Sequence, residues 1–315
     1  MTAPRPRRGA LAGARAASVA AQAKVNLYLR VLAREAGGHH QIETLFARLD
    51  LADRVVVRLR DDGGRAIDVA GPALPAGGLG PAESNLAFRA AAAYSDAAGG
   101  WPSGFEIALE KRVPAGGGLG GGSADAGAVL RALNALNPSP LPQQRLFAIA
   151  SGLGADVPFM TAEAPLALAW GRGERMLAFP ALPPREVALL FPGFGVATAH
   201  AYGWLAERRA SEGRAGAAPA PRMLFPHQFV DWGPVQRLAA NDFEPVVAAR
   251  HPSLGAALDA LRSAGARIAL MSGSGSTLFG VFDASPDVDA LVGASGCNVV
   301  MTRTAARVVG PEPTD

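Results

Sequence analysis

The stretch VPAGGGLGGGSADAGAVLRALN, Val113 to Asn134, sets six glycines in the seven positions 116–122 immediately ahead of a helical pattern. Glycine loses more backbone entropy on ordering than any other residue, about 1 kcal/mol against Ala in a helix, so such a run does not serve local stability. A glycine loop that feeds a helix N-terminus aims backbone N–H groups and the positive end of the helix dipole at one point. That arrangement binds phosphate oxygens. The competing reading is a tight or flexible turn, but it brings no packing return for the entropy lost. Gly116-x-Gly118-x-x-Gly121 matches the dinucleotide fingerprint in form, yet no acidic residue occurs between Asp125 and Asp156 to hold a ribose. No Lys-Ser or Lys-Thr pair follows the last glycine, which excludes a Walker loop.

The 315 residues, 49% of them hydrophobic, supply material for two cores. The single Cys297 can form neither an intrachain disulfide nor a cysteine zinc site, and no apolar run is long enough for a membrane span, so a cytoplasmic protein without a membrane partner is expected. The first eighteen residues carry four Arg and no acid and read as a disordered tail at 1–18. Without those arginines the remainder holds 26 basic against 27 acidic residues. Such a balance offers no excess charge for a nucleic-acid surface. The chain's only lysines are Lys24 and Lys111, against 28 arginines. In a composition that otherwise chooses Arg, a retained Lys is either chance or a place where a compact three-donor ammonium is required.

Alternation over Ala23 to Val31, around Arg54 to Leu59, and over FEIALEKR predicts strands. Ser84 is the expected cap of a helix reaching Ala98, and Ala126, Val129, Leu130, Leu133 and Leu136 predict the helix behind the glycine loop. A helix over Gln143 to Leu153 and a strand over Leu166 to Trp170 follow. The proline-rich LAFPALPPRE, Leu177 to Glu186, reads as a linker between domains at 19–178 and 179–315. Beyond it come a strand (VALLF), a helix near His200 to Arg209, a disordered-looking insert at Glu212 to Pro221, two further helices and two strands around MSGSGS. This mixture indicates an α+β protein.

The pattern Pro114, Gly118, Leu119, Gly120, Ser123, Ala124 resembles the ATP loop of the GHMP kinase superfamily, and its wording is similar to the branch acting on 4-diphosphocytidyl-2-C-methyl-D-erythritol. AKVNLYL, GADVPF and MSGSGSTLF agree with that resemblance in the same order. The resemblance implies a ribosomal-S5-domain-2-like N-terminal domain, a ferredoxin-like C-terminal domain, and a cleft between them for ATP, Mg²⁺ and the small-molecule substrate. It implies phosphoryl transfer to the substrate's 2-hydroxyl in isoprenoid synthesis, with Lys24 and Asp156 as catalytic residues. Pro114, Ala115, Gly116, Gly117, Gly118, Leu119, Gly120, Gly121, Gly122, Ser123 and Ala124 are the ATP contacts so implied. Ser123 is either a ligand of phosphate or Mg²⁺ or a helix cap. Asp125 reads as a favourable charge in the first helical turn, with metal ligation as the other reading. On the substrate side stand Asn26, His39, His40, Thr198, Tyr202, Gly273 and Gly275. His39 replaces the Tyr and Gly37 the Asp usual in the branch. A sister kinase of homoserine, mevalonate or a sugar is the alternative, but would have no reason to carry GGHHQIETLF.

Overall fold

A computed structural model describes residues 11, 13–35, 37–38, 40–214, 219–220 and 222–315. In chain order the elements are β1 (Ala16–Arg34), β2 (His40–Arg60), β3 (Arg65–Ala70), α1 (Leu86–Ala97), β4 (Gly104–Glu110), α2 (Gly121–Leu136), α3 (Gln143–Leu153), α4 (Val157–Thr161), β5 (Leu166–Gly171) and β6 (Arg175–Phe179). They continue with β7 (Glu186–Phe191), α5 (Thr198–Ser211), α6 (Trp232–Leu238), β8 (Ala240–Asn241), α7 (Glu244–Ala248) and α8 (Pro252–Ser263). The last are β9 (Ile268–Met271), β10 (Leu278–Phe282), α9 (Val288–Ser295), β11 (Asn298–Arg303) and β12 (Glu312–Pro313).

The first sheet runs β12-β1-β2-β4-β3, with β5 beside β2, β6 beside β5 and β8 beside β1. Residues of α1 to α4 pack on it through Ala91, Tyr94, Val129, Leu133 and Phe159, in one core with Val19, Val57 and Ile107. The second sheet is antiparallel in the order β11-β7-β10-β9. Its helix-side core unites Leu190, Phe282 and Met271 with Leu205, Val247, Leu258 and Leu291. A third cluster joins the sheets, with Val25, Leu27 and Leu45 against Val187, Leu189 and Phe279. Apolar burial on both faces of each sheet thus fixes the α+β arrangement, at about 25 cal/mol per Å² of apolar surface removed from water.

Strand β1 owes its function to an irregularity. Its register with β2 shifts between Gln22 and Lys24, from Gln22↔Ala52 to Lys24↔Arg48. Such a shift reverses which side chains face which layer. Before it, Val19 and Ala21 belong to the helix-side core; after it, Ala23, Val25 and Leu27 join the cluster between the sheets. Lys24 and Asn26 are therefore turned to the helix side, where the glycine loop begins.

Several expectations change. The tail boundary at residue 18 is too late, because β1 starts at Ala16 and Leu11 is buried in the first core; residues 1–10 lie outside the described residues. The cap of α1 is Asn85, whose side chain accepts from Ala87 N at 2.9 Å, and not Ser84, which bonds Pro81 O instead. The predicted linker starts inside β6, and the expected boundary at 178/179 falls within that strand; the passage between sheets is 180–185. Of the insert at Glu212 to Pro221, residues 215–218 and 221 lie outside the described residues.

Candidate active site

The glycine loop reaches its shape through positive φ angles, +74° at Gly116, +80° at Gly118 and +68° at Gly120, which an L side chain rarely adopts. Close approach demands two of its glycines as well. A Cβ on Gly118 would lie 2.1 Å from Ser272 O, and one on Gly117 would lie 2.2 Å from Thr277 Oγ1. The loop is thus seated on the 272–277 turn of the second half. Ser272 Oγ donates to Gly118 O at 2.9 Å and Thr277 N to Gly117 O at 3.2 Å. Nothing lies within 4 Å of a Cβ built on Gly116, so that side of the loop is open. Gly120, in the left-handed conformation, is the N-cap of α2. Ser123 is therefore not the cap; it lines the cleft that the loop borders.

The cleft has a volume of about 720 Å³ and is walled by both halves of the chain. At its floor, Lys24 Nζ donates to Gly118 O at 2.9 Å and to Asn26 Oδ1 at 2.7 Å, and lies 3.4 Å from Asp156 Oδ2. Asn26 Nδ2 donates to Thr44 Oγ1 at 2.8 Å, and Thr44 donates to Tyr28 O at 2.7 Å. This relay fixes the ammonium from beneath, while the Phe46 ring stands 5.4 Å from it. Asn26, expected to touch substrate, lines the cleft, and its amide is bonded to Lys24 and Thr44. Asp156 is the N-cap residue of α4 without capping through its side chain, which leaves the carboxylate directed to the cleft. The helices α2 and α4 approach backbone to backbone: a Cβ on Gly127 would meet Met160 C at 2.5 Å. That contact holds Asp156 close to the start of α2.

The other lysine serves a different purpose. Lys111 is buried and donates to Asp125 Oδ2 at 2.8 Å and to Asp53 Oδ2. Asp53 Oδ1 also accepts from Arg112 N at 2.5 Å and Val113 N at 2.7 Å, anchoring the segment that leads into the glycine loop. Asp125, expected in the first helical turn, is the fifth residue of α2, buried against Lys111 in the wall of the cleft. Burial pushes its carboxyl up to about 7, against the pull of Lys111 and with the push of Asp53, and its Oδ1 has no hydrogen-bond partner. Lys111 is held above its ordinary value because the two carboxylates outweigh its desolvation.

On the substrate side the rings of His40 and Tyr202 stack at 4.0 Å, and Phe243 meets Tyr202 edge-on at 4.8 Å. Burial, then the charge of Asp156, pushes the Tyr202 phenol up to about 12. Thr198 Oγ1 lies 2.9 Å from Ser274 Oγ, bridging the start of α5 and the 272–277 turn, and Gly273 and Gly275 line the same wall. His39 lies outside the described residues. Thr44, Ser272 and Ser274 escaped the sequence reading; only the alternation of IETLF and the MSGSGS turn hinted at them.

Among the described residues no helix is long and apolar enough to cross a membrane. The model of the GHMP kinases N terminal domain matches residues 85–163, and that of the GHMP kinases C terminal domain matches 229–294. A 4-diphosphocytidyl-2-C-methyl-D-erythritol kinase of Citrifermentans bemidjiense is 38% identical over 266 residues, covering 84% of this chain and 88% of that protein. The enzyme of the same name from Anaeromyxobacter dehalogenans (strain 2CP-C) is 41% identical over 303 residues, 91% of this chain and 90% of that one. A crystal structure of 4-(cytidine 5'-diphospho)-2C-methyl-D-erythritol kinase superposes with a TM-score of 0.66 at 34% identity, over 91% of this chain and 99% of the other. A homoserine kinase from Cytophaga hutchinsonii shares the fold with a TM-score of 0.65 at 18% identity, over 99% of both chains. With a buried lysine and a cleft-facing aspartate set under a glycine loop at a helix start, and with relatives matched over most of their length, this chain belongs to the 4-diphosphocytidyl-2-C-methyl-D-erythritol kinase family of the GHMP kinases.

Proposed function

We propose that this chain transfers the γ-phosphoryl group of ATP to the 2-hydroxyl of 4-diphosphocytidyl-2-C-methyl-D-erythritol, a step in isoprenoid precursor synthesis. The observation that carries the reading is the Lys24–Asp156 pair, 3.4 Å apart at the floor of the cleft that the glycine loop borders. The loop's N–H groups and the start of α2 hold the phosphates of ATP. Asp156 accepts the proton of the acceptor hydroxyl as its oxygen attacks the γ-phosphorus and the bond to ADP breaks. Lys24, fixed by Asn26 and Gly118 O, stabilises charge on the group in flight. At the other end of the substrate, the His40–Tyr202 pair presents an aromatic platform to cytosine.

Mg²⁺ suits this site. Ser123 and Asp156 offer hard oxygens to the cleft, and Mg²⁺ bound through nucleotide phosphates and water requires only one or two such ligands. Among the described residues no group of three His, Cys, Asp or Glu could form an all-protein cage, which fits a metal that arrives with the nucleotide. When bound it would neutralise charge on the β- and γ-phosphate oxygens.

The test is ATP consumption by the purified protein with 4-diphosphocytidyl-2-C-methyl-D-erythritol, homoserine, mevalonate and galactose offered separately. Turnover is expected with the cytidine substrate alone. Turnover with one of the others and none with the cytidine compound overturns the reading.

A further inference from the structure

Among the described residues that line the cleft, Lys24, Lys111 and Arg172 carry positive charge. Lys24 is spent on Asn26, Gly118 O and Asp156, and Lys111 on Asp53 and Asp125. Arg172 is different. Its side chain is 52% exposed, and its guanidinium holds Glu35, just past the end of β1, through Nε at 3.1 Å and Nη2 at 2.5 Å. Glu35 is not among the residues that line the cleft.

The turn that carries Arg172 is built to a fixed position. Gly171 and Gly173 on either side have φ of +74° and +112°. A Cβ on Gly173 would lie 2.8 Å from Ala155 O, so the turn is pressed onto the residue before Asp156. On its other side Gly171 pairs with Ile42, near His40. Arg172 therefore stands between the aromatic pair at one end of the substrate site and the reacting carboxylate at the other. A substrate with its base on the first and its acceptor hydroxyl at the second must lay its diphosphate across the gap.

We propose that Arg172 is a substrate-binding residue that exchanges Glu35 for the diphosphate of the cytidine substrate, and that Glu35 competes for it in the unliganded enzyme. The inference rests on the substrate reading above. The guanidinium fork suits two phosphate oxygens at once, and a diphosphate bridge brings about two negative charges where Glu35 brings one. The cost of leaving Glu35 is modest, because the Arg172 end of the pair is half exposed and both of its bonds fall on one carboxylate oxygen, Oε2. Phosphate then outcompetes carboxylate for the same donors.

The experiment measures KM for both substrates, and inhibition by cytidine and by cytidine 5′-diphosphate, in the wild type, Arg172→Gln and Glu35→Gln, with thermal melts confirming folded variants. Arg172→Gln is expected to raise KM for the cytidine substrate about tenfold, as loss of a charge-assisted pair does, and to leave KM for ATP in place. It should weaken cytidine 5′-diphosphate by a similar factor while cytidine, which has no phosphate, is unaffected. Glu35→Gln should move the same constants the other way, by about twofold to fivefold. A wild type that turns over the cytidine substrate while Arg172→Gln keeps its KM, or weakens cytidine as much as the diphosphate, overturns this inference alone. A wild type without turnover on that substrate overturns the substrate reading and the inference with it.

Discussion

Lys24 is walled in on every side but the one that faces the cleft. A Cβ on Gly120 would stand 3.1 Å from its Cε and one on Gly273 3.5 Å from its Nζ, while Asn26 and Gly118 O take two of its donors. A guanidinium is longer and planar and cannot occupy that point. Lys24→Arg is expected to fold and bind ATP near wild type while kcat falls on the order of 10²-fold, since a misplacement of about 1 Å in such a site costs that much. Asp156→Asn should lose roughly 10² to 10⁴-fold, and the double variant far less than the product, because the two act as a unit. Near-wild-type turnover in Lys24→Arg would take the lysine out of the mechanism. Asp125 supports a second prediction. Its folded-state carboxyl is raised to about 7, chiefly by burial, so the folded protein keeps a proton that the unfolded chain has already lost. The stability this gives is complete below the ordinary aspartate range and declines as pH rises toward about 7. Asn cannot titrate, and its amide would place an N–H₂ where Oδ1 now has no partner. The Tm of Asp125→Asn relative to wild type should therefore climb by a few degrees from about pH 5 to about pH 8; a difference independent of pH would contradict the assignment.

Helix α4 is too short to hold Asp156 by itself, and a buried arginine holds it. Arg48, on β2 opposite Lys24, donates from Nη2 to Phe159 O at 2.7 Å and Ala162 O at 2.9 Å, and from Nε to Ala164 O at 3.1 Å. Its guanidinium lies 4.9 Å from the Phe159 ring. These carbonyls belong to the end of α4 and the turn after it, where the helix dipole favours a cation. Burial, and then the nearby Arg131, depress its pKa well below the ordinary arginine value. Arg48→Ala removes the donor of Ala162 O and Ala164 O, while Phe159 O keeps Ala162 N at 3.2 Å, at about 1 to 3 kcal/mol for each unsatisfied group. Chemical denaturation should show a loss on the order of 3 kcal/mol, with kcat reduced more than ATP affinity because α4 carries Asp156 and not the loop. Equal losses in both would contradict it. None of this was legible in the sequence, since Arg48 is 111 residues from Phe159 and shows only as one polar position in an alternating strand. The pairing of Lys111 with Asp53 across 58 residues was hidden in the same way. The glycine loop and α2 were legible because their signals are local, whereas Asp156 was singled out only through the family resemblance. Ser84 was the expected cap, but its hydroxyl turns to Pro81 O and Asn85 takes the role.

Across the whole molecule, β1 of the first sheet is the keel: it binds β2 and β8, feeds Val25 and Leu27 to the cluster between the sheets, and presents Lys24 to the cleft. Its first half is also fastened from the far end of the chain. Ala17 and Ser18 pair with Pro313 and Glu312 of β12, and Thr314 N donates to Ala16 O at 3.2 Å. Gln22, buried, donates to Arg307 O at 3.2 Å and accepts from Val309 N at 3.1 Å. Arg131 of α2 donates to Val309 O at 2.7 Å and to Ala20 O at 3.3 Å, and desolvation lowers its pKa to about 10. A Glu-Pro strand has no strand signature, so this closure of the chain upon itself could not be read from the sequence. Removing residues 305–315 would strip Gln22 of both partners and leave the Arg131 charge inside the protein with Ala20 O alone. Losing a hydrogen bond to a charged group typically costs about 1.5 to 3 kcal/mol, so the truncated protein should unfold at lower denaturant than the full chain. If the unpaired charge is the cause, Arg131→Leu should cost more in the full chain than in the truncated one, where it removes a liability. A double-mutant cycle by chemical denaturation measures that difference, and a coupling near zero would assign the loss to the β12 pairing instead of to Arg131.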